Sequence, residues 1–323
     1  MTTATKTTAR PTSKASPRHA MELVLGGGGI KGLAHVGFLT AVEELNVKFH
    51  KVTGVSIGAL VATLYVNGYS PSRIEAIFEE ELSNIDPRRL ARSMMVPPQL
   101  EKLVYKSEPF SLRAFMANLV DKYKLKPRAR LRLVAFNAVT MKPVLFEGTN
   151  YNLADALTAS CALPYLFQPV RQGKKTVARA VFDYWTRGEN DGSAVLFDGG
   201  LYHPYPGEFC RRPAIIAKLG YTHVPAPTHL PRVDRLLHQL EYKARHYLNR
   251  KHPDPTGHLI IEVGGSEIAT MTFNITAEAR HKMIINAYKT SLRQLKKAIA
   301  EGQVPVRSKG ETTEQEGQRK DKK

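Results

Sequence analysis

"MELVLGGGGIKGLAHVG", Met21 to Gly37, decides how the rest of the chain is read. A short apolar run of buried-strand type meets four glycines and a lysine, and then apolar residues at helical spacing. Glycines in a strand-to-helix turn let backbone amides approach something that side chains would block. Three occupants have that need: a dinucleotide pyrophosphate, the phosphates of a nucleoside triphosphate, and the developing oxyanion of an acyl transfer.

The loop satisfies G-x-G-x-x-G at Gly27, Gly29 and Gly32. A dinucleotide site also wants an acid at the end of the second strand to hold the ribose. That strand, "HKVTGVS", has none, and Glu43 and Glu44 fall in the intervening helix. A triphosphate loop wants Gly-Lys-Ser/Thr, whereas Lys31 is followed by Gly32 and Leu33. The second strand runs instead into "GVSIG", with Gly54, Ser56 and Gly58 between an apolar strand and an apolar helix. This is the setting of a nucleophile elbow, where small neighbours permit a sharp turn and the hydroxyl projects at a helix N-terminus. The plainer reading is a structural turn with Ser56 as a cap. A nucleophilic serine needs oxyanion donors and a base. The amides of Gly27, Gly28 and Gly29 are the expected donors. Lys31 is expected to orient the loop or meet an anionic head group, or else to be an exposed residue at a helix start. The base is sought in "LFDGG", where Asp198 ends an apolar strand before Gly199 and Gly200; Asp-Gly is also an ordinary turn pair.

Outward from these motifs the chain reads β-α-β-α, the rhythm of a parallel sheet flanked by helices. Ser70 and Pro71 open a helix as N-cap and first residue, and Asn67-Gly68 closes the one before it. "ARLRLVAFNAVTMKPVLFEG" gives two strands, and "NLADALTASCALPYLFQPV" a helix broken at Pro164. "AVLFDGG" and "GHLIIEVGG" are strands, and a long amphipathic helix follows Thr276. The Pro- and Arg-rich stretch between those last two strands shows no strand, with a basic helical run around His238, His246 and His252. The expected organisation is a basic disordered tail over 1–20, a single catalytic domain over 21–301 and a charged tail over 302–323. Within the domain the motifs span 22–211, and 212–301 adds strand and helix.

Of the 323 residues 42% are hydrophobic and 24% charged, which is ordinary for a soluble globular protein. No apolar run approaches the ~20 residues of a membrane span, and residues 1–20 have no signal-peptide core. Cys161 and Cys210 are too few for a disulfide framework and lack metal-site spacing, so a reducing, cytoplasmic compartment is the default; no cofactor is expected. Export by a non-Sec route stays open. The formal charge of +18 favours an acidic partner, and no nucleic-acid reading motif accompanies it. The stretch "RQGKKTVARAVFDYWTRGENDG" sets Tyr184 and Trp185 among Lys174, Lys175, Arg179 and Arg187. Such a mix suits a cap or an anionic membrane edge; the plainer reading is a partly ordered loop. Of the histidines, His35 reads as a packed helix residue and His203 as a neighbour of the Asp198 turn. His238, His246 and His252 read as surface residues.

"GGGGIKG", "GVSIG" and "DGG", in that order, resemble the patatin-like phospholipase family, and "TASCALPYLFQPV" resembles its segment between elbow and aspartate. The likeness runs from the first strand to at least Pro206. It implies a three-layer α/β fold with a mostly parallel central sheet. It also implies a Ser-Asp dyad of Ser56 and Asp198, an oxyanion loop, and hydrolysis of fatty acyl esters of phospholipid or lysophospholipid through an acyl-serine, without a metal. The alternative is a non-catalytic lipid- or protein-binding module of the same fold. One departure is Pro204, which stands where many relatives carry Asn.

Overall fold

In the computed structural model, residues 21–85, 110–164, 166–173, 175, 177–188, 192–221, 255–266 and 275–306 are described. The tail expected over 1–20, most of that over 302–323, and His238, His246 and His252 lie outside them. The elements are β1 (Met21–Leu25), α1 (Ala34–Glu44, after a 3-10 turn at Gly29–Leu33), β2 (Phe49–Val55), α2 (Ile57–Val66), α3 (Pro71–Ser83) and α4 (Leu112–Lys122). They continue with β3 (Leu131–Asn137), β4 (Lys142–Glu147), α5 (Leu153–Cys161), β5 (Val170–Gln172), α6 (Val177–Arg187) and β6 (Ala194–Asp198). The last are β7 (Ala214–Tyr221), β8 (Leu259–Ser266) and α7 (Ala277–Ala300).

Local chemistry explains most boundaries. The Ser70 hydroxyl accepts from Arg73 N–H at the start of α3, and Pro71 needs no donor there. Thr276 caps α7 through Ala279 N–H in the same way. α5 stops at Cys161, three residues before Pro164, because the residue ahead of a proline is pushed out of helical conformation.

The eight strands form one sheet in the order β5-β6-β3-β2-β1-β7-β8, with β4 on β3. Strands β3-β2-β1-β7-β8 are parallel, while β4, β5 and β6 join through antiparallel pairs. The fold is thus a mixed α/β sheet flanked by helices, as the sequence implied. Two differences are worth stating. β7 is an interior strand in the stretch that suggested no strand, and the 171–192 segment holds β5 and a regular helix. Alternation along β6 shows both covers. Ala194 and Leu196 pack with Ala159 of α5 on one face, while Val195 packs with Ala180 of α6 on the other. The main core includes Leu23, Leu25, Leu133, Ile215 and Val263 from the strands with Phe38, Leu64 and Leu295 from the helices, all essentially inaccessible. Val304, beyond α7, is also buried in it.

Opposite the Ser56 end of the sheet lies a buried ionic cluster. Arg132, 1% exposed, pairs with Glu22 and donates from Nε to Glu147 Oε1 at 3.2 Å and from Nη1 to Phe209 O at 2.9 Å. Lys51 also pairs with Glu147. These residues tie the beginnings of β1, β2 and β3 to the end of β4. Removing one partner strands a buried charge. Arg132→Leu is therefore expected to lower the unfolding free energy by about 3–5 kcal/mol in urea titrations, with Glu22→Leu added to it returning most of the loss.

Candidate functional site

Ser56 sits between β2 and α2 with φ 56° and ψ −129°. A non-glycine residue held there stores roughly 1–3 kcal/mol of backbone strain and persists only where its surroundings over-determine it. They do so here. A Cβ on Gly58 would lie 2.3 Å from Leu25 O, and one on Gly54 2.5 Å from Ala59 Cα, so any side chain at either place would push strand and helix apart. The Ser56 N–H donates to Ser160 Oγ at 3.0 Å, and that hydroxyl donates to Val134 O at 2.7 Å. Ser160 fixes the elbow from α5. The sequence drew attention to it only as part of a family segment, and its role is visible only in three dimensions.

Asp198 reaches Ser56 because of how β3 shares an edge. β4 runs along one edge of β3 from Arg132 to Asn137. On the other edge β2 pairs as far as Val55↔Val134, and β6 takes over at Asp198↔Ala135. The chain leaves the sheet at Ser56 where Asp198 enters it. The Ser56 Oγ donates to Asp198 Oδ2 at 2.6 Å, and Asp198 Oδ1 accepts from Gly200 N–H at 2.7 Å. Both side chains are buried. Gly199 and Gly200 form the 3-10 turn that follows, and Asp198 N–H is anchored to Ala162 O at 2.9 Å. The N-terminus of α2 adds a positive partial charge beside the hydroxyl.

The glycine loop passes the same point. A Cβ on Gly27 would come 3.2 Å from Ser56 Cβ. Of the three amides expected to face an oxyanion, that of Gly27 donates to Pro204 O at 3.2 Å. Those of Gly28 and Gly29 make no hydrogen bond among the described residues. Gly32 starts the approach to α1. Lys31 is 6% exposed, not a surface cation, and it lines a small cavity with Gly264, Met283 and Asn286 rather than the one at Ser56.

His35 is fully buried, and its Nε2–H donates to Gly26 O at 2.8 Å. Burial lowers its pKa to about 4, against a weaker opposing effect of that hydrogen bond. It is a packed, neutral helix residue that holds the loop. His203 is buried too, and its Nδ1 accepts from Tyr205 N–H at 2.9 Å, within its own turn. The Cys161 thiol is pushed well up by burial and by the nearby Asp198 charge, so it is a poor nucleophile.

An apolar cavity of about 120 Å³ opens on Ser56 and Gly29. Leu60, Leu64, Phe78, Phe115 and Met116 line it. Among the described residues Glu81 is its one carboxylate, and its Oε1 accepts from Tyr123 and Lys122. The sequence signalled α3 but not α4, whose inner face adds Leu112, Phe115, Met116 and Leu119 to this wall.

Two outcomes follow from this geometry. Ser160→Ala leaves the Ser56 N–H buried without an acceptor, which is expected to cost about 1–3 kcal/mol in thermal or urea unfolding. Because the folded pKa of His35 is depressed, its contribution is complete above the unfolded value near 6.5 and is lost as pH falls towards 4. The full loss amounts to about 3 kcal/mol. His35→Gln, which does not titrate, should remove that part of the acid limb when stability is followed from pH 7 to pH 4.

Comparison with known proteins agrees with the motifs. Residues 23–208, more than half of the chain, match the model of the patatin-like phospholipase family. The human protein named patatin-like phospholipase domain-containing protein 6 is 32% identical over 201 residues, which cover 60% of this chain and 12% of that protein. The Escherichia coli cUMP-AMP-activated phospholipase is 26% identical over 216 residues, 60% of this chain and 59% of that one. The Bacillus subtilis protein YqhO is 25% identical over 57% of this chain and 64% of its own length. The chain therefore matches less than two thirds of each of these relatives. Among solved structures, VipD from Legionella pneumophila superposes with a TM-score of 0.45 and 17% identity over 92% of this chain and 73% of its own. The strand, elbow and aspartate turn described above all fall within the matched residues, and the chain belongs to the patatin-like phospholipase family.

Proposed function

We propose that this protein is a lipid acyl hydrolase that uses Ser56 as nucleophile and Asp198 as general base. The observation that carries the reading is the 2.6 Å hydrogen bond between the two side chains at the mouth of an apolar cavity. Ser56 Oγ attacks the ester carbonyl as its proton passes to Asp198 Oδ2. The oxyanion lies against the amides of Gly28 and Gly29, with Gly27 holding the loop through Pro204 O. Collapse breaks the ester bond, and Asp198 returns the proton to the leaving alcohol oxygen. Water then attacks the acyl-serine, again giving a proton to Asp198, and the fatty acid departs as Ser56 is restored.

The cavity favours a hydrocarbon acyl chain. Its aliphatic and aromatic walls replace water around a hydrocarbon chain, and they offer little to a polar acid. Phospholipid and lysophospholipid are the substrates that family membership favours.

The test is fatty acid release from phospholipid vesicles. Ser56→Ala and Asp198→Ala are each expected to lower the rate by about a thousandfold or more while the thermal midpoint is retained. Appreciable turnover by folded Ser56→Ala would overturn the reading. Met116→Trp fills the cavity, and it should depress hydrolysis of long-chain esters relative to acetyl esters by about tenfold. Equal losses for both chain lengths would place the acyl group elsewhere.

A further inference from the structure

The sheet topology gathers the exposed apolar side chains at one end. β2 and β3 are parallel, so Ser56 and the β3–β4 turn lie at the same end. β5 climbs to that end and β6 descends from it, with Gln172 opposite Ala194. α6, which joins them, is thereby confined to the Ser56 end of the molecule. Six large hydrophobic side chains are exposed among the described residues, and four of them are here: Met141 at 58%, Phe182 at 50%, Trp185 at 59% and Leu201 at 37%. Leu201 belongs to the turn directly after Asp198.

The roll of α6 is fixed from inside. Asp183 points inward, 1% exposed, and pairs with Lys175, Arg179 and Arg187, the first two at 2.8 and 2.9 Å. Lys175 and Arg179 hold its carboxyl below the usual carboxylate range, against an opposing effect of burial. Trp185 Nε1 donates to Val139 O at 2.9 Å, which satisfies the polar edge of the indole against the hairpin and leaves its hydrocarbon outward. Phe182 lies one turn back, with the Arg187 guanidinium 5.7 Å from its ring centre. Lys142, Arg171, Arg179 and Arg187 are exposed around these side chains, while the one acid of the helix is buried. No helix among the described residues is long and apolar enough to cross a membrane, so contact at this face would be peripheral.

The geometry points to α6 and the β3–β4 turn as a membrane-docking edge, with Met141, Phe182 and Trp185 entering an anionic lipid surface and the surrounding Arg and Lys meeting its head groups. Aromatic and aliphatic side chains ringed by cations match such an interface in both area and charge. Arg179 and Arg187 also pair with Asp183, and their exposed guanidiniums, with Lys142 and Arg171, add positive charge around the outward hydrocarbon that an anionic lipid surface matches better than an uncharged one. The edge lies at the Ser56 end of the sheet, on the face opposite α5 and the cavity. The inference extends the hydrolase reading to its partner, but no proposed catalytic residue takes part in it.

Trp185 is the only tryptophan of the 323 residues, so its emission reports on this edge alone. The 323-residue chain carrying Ser56→Ala is mixed with phosphatidylcholine vesicles, with or without phosphatidylglycerol. Docking predicts emission at shorter wavelength and protection from acrylamide with the anionic vesicles, both weakened by salt. Adding Met141→Ala and Phe182→Ala together should lower the partition coefficient about tenfold or more. In the background that retains Ser56, that pair should leave the thermal midpoint and short soluble ester hydrolysis unchanged. Three results overturn the inference: no association with anionic vesicles, co-sedimentation with an unaltered tryptophan spectrum, or equal partition of the double variant. A spectral change in a protein that hydrolyses no ester would uphold the docking edge and reject the hydrolase reading.

Discussion

One hydrogen bond, from Ser56 Oγ to Asp198 Oδ2, joins residues 142 positions apart, and the rest of the architecture serves to make it. Neither side chain has much freedom. Ser56 is pinned by a strained backbone, by Ser160, and by the close packing of Gly58 on Leu25. Asp198 is pinned at both ends of its own residue, through its N–H to Ala162 O and through Oδ1 from Gly200. Preorganisation of this kind places the cost of ordering in folding and not in any later reaction.

The contact depends on an irregularity in the sheet. A regular parallel β3 would carry β2 along its whole edge. Here β2 ends at Val55 and β6 completes the edge from the opposite direction. An antiparallel strand entering a parallel sheet brings its carboxyl end to the level where its neighbour turns into a helix. Strand ends in α/β proteins collect functional groups because helix N-termini and loops meet there. In this chain the meeting is tighter, since two strands share one edge.

The surroundings divide the labour between polar and apolar groups. Arg132, Glu22 and Glu147 hold the far end of the sheet with buried ion pairs, away from Ser56. Near Ser56, His35 is held neutral by burial, and the Cys161 thiol is pushed up by it. The cavity beside the hydroxyl is walled by α2, α3 and α4, so hydrocarbon contacts come from helices and polar contacts from turns.

By itself the sequence determined the elements that rest on local rules. Hydrophobic period gave β1, β2, α2, β6 and α7, caps placed the starts of α3 and α7, and the glycines around Ser56 marked an elbow. β7 escaped because a central strand reads only as a short apolar run, and the flanking Pro and Arg residues masked it. α6 escaped because its aromatics and cations read equally well as a loop, and what sets its face is the inward Asp183. The motifs implied by resemblance that Asp198 meets Ser56, but tertiary structure alone decided how it does so, that Ser160 supports the elbow and that the Gly27 amide is taken by Pro204. Each is a contact across more than 100 positions, set by which strands share an edge and which turns pack above them. Short-range preferences fix the shape of a segment but carry no information about its distant neighbours, and those neighbours are chosen by burial of the whole sheet.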